Sequence, residues 1–276
     1  MDNYIIFPVI VLYKCQLNDA LSYTTLVRHI SHMPFMVYDN SPETFVFEKG
    51  QLPEAAIYVR DVQNGGVSMA YNTAVKYALE HEYSHCLLLD QDTSFPQDAY
   101  SHYQQMLSKN MLCAPTLITK CQQAFSPCSR KGFRTKAVSI PSGRYSLYDY
   151  MPVNSGMCIP TRYFLSVDGY NSQIRLDFAD FDFLGRYRKV YSDFLLLPFI
   201  AKQDFSNDEK SVIKLEARYL LYLDSAQATR WQTVNERFIF HIEVLLHTLA
   251  LCRRTKSVSF LKLYFNFLVK RCHGNS

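Results

Sequence analysis

Residues 86 to 96 read CLLLDQDTSFP. Four apolar residues, Cys86 to Leu89, run into Asp90, Gln91 and Asp92, and Pro96 closes the stretch. An extended chain points residues i and i+2 the same way, so Asp90 and Asp92 offer paired carboxylates on one side. Hard oxygen donors of this kind suit Mg2+ or Mn2+, commonly held by one or two carboxylates together with substrate phosphates. An isolated D-x-D also fits simple capping of the next helix. Its place behind a buried strand favours the metal.

A second acidic group lies in RLDFADFDF, with Asp177, Asp180 and Asp182. Helical spacing predicts Asp177 and Asp180 on one face, with Asp182 turned elsewhere. Like-charged neighbours raise a carboxylate's pKa, which suits a general base. Phe178, Phe181 and Phe183 interleave these acids, unlike a simple solvated face. A third element is DVQNGGVSMAYNTAV, residues 61 to 75. Asn64-Gly65-Gly66 predicts a turn free to take positive φ, and Ser68 a cap for the following helix. A helix N-terminus so placed favours phosphate. The stretch is neither a Walker loop nor G-x-G-x-x-G.

These groups need a scaffold. IIFPVIVLY (5–13), PFMVYDNS, AAIYVRD, HCLLLDQD and MLCAPTLIT read as strands, with Pro8 expected near a strand start or an edge. Helices are predicted over LNDALSYTTLVRHI, SMAYNTAVKYALEHE and, starting at Pro96, PQDAYSHYQQMLSK. Alternating strands and helices imply an α/β fold with a largely parallel sheet, whose ligands bind beyond the carboxyl ends of the strands. Residues 121–150 are polar and turn-rich, and read as a long loop or hairpin near the cleft. VNSGMCIPTRYFLSVDGY predicts a strand and helix, LDFADFDFLGRYRKV a helix, and DFLLLPFI a strand. From Asn207 onward the pattern is helical.

The chain has 276 residues, enough for one large domain or a main domain with an appendage. Its 20 Tyr and 19 Phe suit a cleft for planar or sugar-like ligands, or simply an aromatic core and surface. The net charge of +4 is uneven: from Arg230 onward eight Lys and Arg face only Glu236 and Glu243. A basic tail suggests an anionic partner, a membrane surface or nucleic acid. The eight cysteines form no C-x-x-C pair and show no zinc spacing. With no signal-peptide pattern and no membrane-spanning apolar run, the expectation is a cytoplasmic protein with reduced thiols.

Together VLY (11–13), YDNS (38–41), NGGVSMAYNTAV (64–75), LLLDQDTSFP (87–96), NSGMCI (154–159) and LDFADFDFLGRYR (176–188) resemble the family-2 glycosyltransferases, especially the bacterial rhamnosyltransferase-like branch. The resemblance covers about residues 5 to 205. It implies the GT-A fold: an α/β, Rossmann-like mixed, mainly parallel sheet flanked by helices. A catalytic domain over 1–205 would carry a C-terminal helical extension over 206–276. By the same resemblance Asp39 contacts base or ribose, Asn64, Gly65 and Gly66 lie against the nucleotide, and Asn72 backs that loop. Asp92 holds the metal, and Asp90 faces ribose or metal. Asp180 is the catalytic base, with Asp177 and Asp182 beside it, and Arg186 steadies the acids or the diphosphate. The family's metal-binding His is replaced by Gln203, a poorer ligand, for which Asp204 could substitute.

The implied activity is inverting transfer of a sugar from a nucleotide-diphosphate sugar donor to a glycan or lipid-linked acceptor, in surface polysaccharide synthesis with Mg2+ or Mn2+. The alternative is a non-catalytic nucleotide-sugar-binding module with a degenerate metal site. Nucleic-acid binding has no aromatic-basic motif behind it. In the tail SFLKLYFNFLVKRCH, Lys262, Asn266 and Lys270 form a polar stripe on an otherwise apolar helix. That helix suits a membrane surface, or packing on the catalytic domain or in a homodimer.

Overall fold

The computed structural model describes residues 5–30, 32–129, 135–204, 211–231 and 233–273, with side chains as far as residue 269. The boundary expected between 205 and 206 falls outside them. The chain begins with β1 (Ile6–Leu12), α1 (Leu21–Thr25), β2 (Phe35–Asp39), β3 (Ala56–Arg60), α2 (Gly66–Glu80) and β4 (His85–Asp90). Next come β5 (Thr93–Ser94), α3 (Ala99–Met106), β6 (Cys113–Thr119), β7 (Ala124–Ser126), β8 (Cys128–Ser129), β9 (Lys136–Ala137), β10 (Gly143–Ser146) and β11 (Tyr150–Met151). Then follow β12 (Met157–Pro160), α4 (Thr161–Leu165), α5 (Ala179–Tyr187), β13 (Asp193–Gln203), α6 (Val212–Ala228), α7 (Val234–Thr255) and α8 (Ser259–His273).

The main sheet has the order β10-β13-β6-β12-β4-β1-β2-β3. β3, β2, β1 and β4 run parallel, β12 is antiparallel between β4 and β6, and β6 pairs parallel with β13. The sheet is thus mixed and mainly parallel, flanked by helices as expected.

Alternation along buried strands sorts side chains between the two faces. Phe7, Val9, Val11, Cys86 and Leu88 pack toward α2, α4 and α5. Ile6, Ile10, Leu12, Leu87 and Leu89 pack with Tyr23 and Tyr103 from the opposite helices. The same parity carries Asp90 to the α2 and α5 side.

Several local expectations are refined or corrected. Pro8 lies near the start of β1, one of its two expected places, although β1 is a central strand; pairing with β2 starts only at Val9. Leu12's carbonyl accepts from Asn40 on the β2 side, and period two sends the Pro8 nitrogen the same way, ahead of that ladder. Residues 17–30 form α1 between two short 3-10 turns rather than one helix. The Thr24 and Thr25 hydroxyls bond back to carbonyls a turn earlier, a pattern that weakens a continuous helix. α3 starts at Ala99, whose amide closes a turn onto Pro96. Among its described residues the 121–150 segment contributes to five short strands, of which β8, β9 and β11 make a separate three-stranded sheet. Strands of two to four residues leave no readable period.

The helices α6 to α8 enclose their own cluster around Tyr219, Leu223, Phe240, Val244, Phe260 and Phe267. Thr233 caps α7 by accepting from the Glu236 amide, a Thr-x-x-Glu signal present in the sequence.

Candidate active site

Asp90 sits at the carboxyl end of β4, where the sheet opens between β1 and β12. The Tyr71 hydroxyl, from buried α2, donates to Asp90 Oδ1 at 2.7 Å. Two residues on, Asp92 leads into β5, which pairs with the end of β13, with Thr93 opposite Gln203. That pairing brings Gln203 Nε2 to Asp92 Oδ1 at 3.2 Å. The Asp204 amide donates to the Asp92 carbonyl at 2.8 Å. Sequence positions more than a hundred apart are thus fixed by one short ladder.

Asp180 is the second residue of α5, and the Phe181 amide donates to its Oδ1 at 2.8 Å. Asp90 lies near enough to repel both other acids, raising the proton affinity of Asp92 and of Asp180. Each acid keeps part of its surface open, while dense surroundings strip most of its hydration. That desolvation is the main cause of the shifts, with like charge second for Asp92. Asp92 and Asp180 are each pushed up to about 7. Asp90 is also raised by burial, partly offset by the Tyr71 hydroxyl. Among the described residues no Lys or Arg pairs with any of the three. Asp204, the expected substitute ligand, pairs instead with Lys120.

A divalent cation fits this arrangement. Two carboxylates repel each other beside Gln203, whose buried Oε1 has no hydrogen-bond partner. Asp90, Asp92 and Gln203 together offer oxygen donors of the type Mg2+ and Mn2+ take. Among the described residues no three His, Cys, Asp or Glu side chains group as a complete ligand set. The remaining donors would therefore come from substrate and water.

The residues expected around the nucleotide are bound inward. Asp39 is fully buried: Arg60 and Tyr58 donate to its Oδ2 at 2.7 Å, and the Ser41 amide to its Oδ1 at 2.9 Å. Asn64 and Gly66 take positive φ, whereas Gly65 does not. A Cβ at Gly66 would sit 1.9 Å from the Arg175 carbonyl oxygen, so only glycine fits there. The loop amides are largely spent on the protein: Asn64 on the Asp61 carbonyl, Gly65 on the Asp61 carboxylate, and Val67 on the Arg175 carbonyl. The α2 N-terminus is therefore docked on the 174–175 segment through Val67 and Ser68. Ser68 is no cap; Gly65 holds that position, and the Ser68 hydroxyl donates to the Ile174 carbonyl at 2.5 Å.

Asn72 exchanges two hydrogen bonds with the Tyr170 backbone, at 2.8 and 2.9 Å. Arg186 donates to Asp182 and to the Val167 and Gly169 carbonyls. Both side chains thus clamp the fold: Asn72 lies behind the loop, and Arg186 holds Asp182, one of the two acids expected beside Asp180. Asp177 precedes α5 instead of sharing its face with Asp180, because Phe178 turns the chain through a left-handed conformation at φ 68°.

The C-terminal helices grip this same turn. Arg218 of α6 holds Asp177 with both guanidinium nitrogens, and Phe178 packs on Tyr222 and Phe240. The Arg230 amide donates to buried Asp182 at 3.0 Å, and Arg188 pairs with Glu236. Glu243 of α7 accepts from the Thr135 amide and hydroxyl, both at 2.8 Å. β8 places the buried Cys128 thiol beside Asp180 and Glu243; burial, then these acids, push it up to about 12. Sequence reasoning missed Tyr71, Tyr170 and Arg218, since their partners are 19 to 98 residues away.

In sequence the chain matches no family model and no curated protein. In structure it is similar to GalNAc-T7 crystallised with UDP, GalNAc and Mn2+ (TM-score 0.54, 10% identity, 87% of this chain, 54% of that one). It is also similar to S. aureus TarS residues 1–349 with UDP (0.54, 12%, 87% and 70%) and with UDP-GlcNAc (0.60, 12%, 97% and 80%). The chain thus spans about half of the GalNAc-T7 structure and most of the TarS fragment. Its fold is that of the GT-A glycosyltransferases.

Proposed function

We propose that this chain is a glycosyltransferase of the family-2 type, moving a sugar from a nucleotide-diphosphate donor to a hydroxyl of a glycan or lipid-linked acceptor, with inversion. Surface polysaccharide synthesis is the setting such acceptors suggest. The observation that carries this reading is the acid cluster: Asp90 repels both Asp92 and Asp180 at the open end of the sheet, and no described cation offsets them. The UDP, UDP-GlcNAc and Mn2+ in the similar structures support a donor and metal of the same kind.

Asp180 takes the proton of the incoming hydroxyl; a base holding its proton to about pH 7 is matched to that task. It sits at the start of α5, its carboxylate steadied by the Phe181 amide. Asp90, Asp92 and the Gln203 amide oxygen would hold Mg2+ or Mn2+. When bound, such an ion supplies positive charge against the departing diphosphate. Tyr71 keeps Asp90 oriented, and the β5–β13 ladder keeps Asp92 opposite Gln203. The clamps by Asn72, Arg186 and Arg218 keep α2 and α5 in register with these acids.

The test is calorimetric titration with UDP and UDP-sugars, with and without Mn2+, paired with an assay of donor hydrolysis. The reading expects metal-dependent diphosphate binding and slow hydrolysis. Failure to bind any nucleotide sugar with metal sinks it. Binding with no turnover, unchanged by Asp180→Asn, establishes instead a non-catalytic binding module.

A further inference from the structure

Charge on the C-terminal helices is one-sided. After Glu243 the sequence has no Asp or Glu, yet it has Arg253, Arg254, Lys256, Lys262, Lys270 and Arg271. The last acids of α7 are also occupied inward, Glu236 by Arg188 and Glu243 by Thr135. The exposed Arg253, Lys256 and Lys262 of this cationic field have no ion-pair partner among the described residues.

Apolar residues stand exposed within that field. On α7, Leu245 and Leu249 are exposed, and Arg253 and Lys256 continue the row at steps of four and three. This edge lies opposite Phe240, Val244 and Leu251, which face the bundle interior. On α8 the same spacing joins exposed Lys262, Phe265 and Val269, opposite buried Phe260, Tyr264 and Phe267. Phe265 is 60% exposed and Leu249 45%. The two helices are joined by a turn in which Lys256 takes a left-handed conformation. A helix edge with large apolar side chains beside cations is the composition of an interfacial helix, which lies in a headgroup layer without crossing it. No helix among the described residues is long and apolar enough to cross a membrane.

We infer that the α7–α8 hairpin docks on an anionic phospholipid surface, with Leu249 and Phe265 entering the headgroup layer and Arg253, Lys256 and Lys262 on lipid phosphates. Charge complementarity selects this occupant. A second copy of the chain would bring the same unopposed cations face to face, and a neutral protein groove would leave them without partners. The inference stands apart from the proposed transfer reaction. The two are linked only in that lipid-linked acceptors would then be presented where the enzyme sits.

The experiment is flotation of the full chain with phosphatidylcholine vesicles, with and without 30% phosphatidylglycerol (roughly the anionic content that draws polybasic segments). Binding is expected only to the anionic vesicles, falling as salt rises. Arg253→Glu/Lys256→Glu/Lys262→Glu should lower partitioning about 100-fold or more, each cation near the surface being worth roughly fivefold. Leu249→Ser/Phe265→Ser should weaken it at unchanged salt dependence. Both variants change exposed side chains; circular dichroism and UDP binding confirm that they fold, and donor binding should match the parent. Equal binding to neutral vesicles, or no vesicle binding together with a dimer dissociated by Phe265→Ser, overturns the inference.

Discussion

The loop at residues 61–75 and the acid cleft around Asp90 lie on the same face of the sheet, yet they treat polar groups in opposite ways. In the loop, polar groups have partners in the protein: Asp61 takes the Gly65 amide, Ser68 the Ile174 carbonyl, and Asn72 the Tyr170 backbone. In the cleft, Asp90 repels both Asp92 and Asp180 with no Lys or Arg paired to any of them among the described residues, and the buried Gln203 amide oxygen beside Asp92 has no partner. Buried polarity that is satisfied locks a fold, whereas polarity left unsatisfied costs stability unless a ligand completes it. In the sequence both regions were candidate ligand sites. Their hydrogen bonding differs: the 61–75 segment is tied into the fold, while the acids around Asp90 have no cation paired to them among the described residues.

The sharpest way to break this contrast is Asp180→Asn. It should lower kcat by about a thousandfold, in the range typical of removing a general base, while donor affinity stays within a few-fold. Steady-state kinetics beside calorimetry reads both; a drop below tenfold would remove Asp180 from the chemistry. For the parent enzyme, kcat/KM should rise with pH and level off just above 7, as Asp180 loses its proton.

Next in size is the stability signature of the cleft. Because the folded-state affinities of Asp92 and Asp180 are raised, the native protein holds protons that the unfolded chain has lost. Stability should therefore fall as pH rises from about 4 through about 7 in metal-free protein, and stay low above that. Asp92→Asn should gain ~2 kcal/mol over the parent at pH 8 and nothing near pH 3, below the unfolded value. Urea unfolding at the two pH values checks this, and Mn2+ should reduce the gain by stabilising the parent alone. A variant less stable than the parent at pH 8 would mean that the acids are not strained.

The smallest expected effect belongs to the loop side. Asn72→Ala strands the Tyr170 amide and carbonyl, and should cost about 1–3 kcal/mol of stability. Below its lowered melting temperature, UDP affinity should stay within twofold. A tenfold loss of affinity in folded Asn72→Ala protein would return that residue to the binding surface and dissolve the contrast.

Much of the scaffold was legible because buried strands and amphipathic helices leave a period in the sequence. Cys86–Leu89 followed by Asp90 read as a strand end, and it is one. The Asp90/Asp92 pair stood out in the sequence, but its geometry did not: Gln91 and Asp92 form a turn between β4 and β5, where the alternation of an extended strand does not apply. The start of α5 was not legible either. Phe178 adopts a left-handed turn held by Tyr222 and Phe240, 44 and 62 residues away, and Phe carries no local preference for it. Helical spacing therefore placed Asp177 beside Asp180, one residue inside a helix that begins after both Asp177 and Phe178. The inward use of Asn72 and Arg186 was equally hidden, because a hydrogen bond across the fold has no signature in the spacing of either partner. Strands of two or three residues, as in 121–150, are too short to show alternation. The length of β13 was underread: the strand expected over DFLLLPFI runs on to Gln203, past a register irregularity between Leu196 and Ile200 that holds Pro198.

That irregularity has a further consequence. Downstream of it, each residue's slot is counted from the kink, so deleting one residue there would advance the following side chains by one place. Asp204 would then stand where Gln203 does, opposite Thr93, turning the amide at the cleft's edge into a fourth acid. One codon thus separates a neutral from an anionic rim, which makes the kink a natural point for evolution to retune how tightly this cleft holds cations.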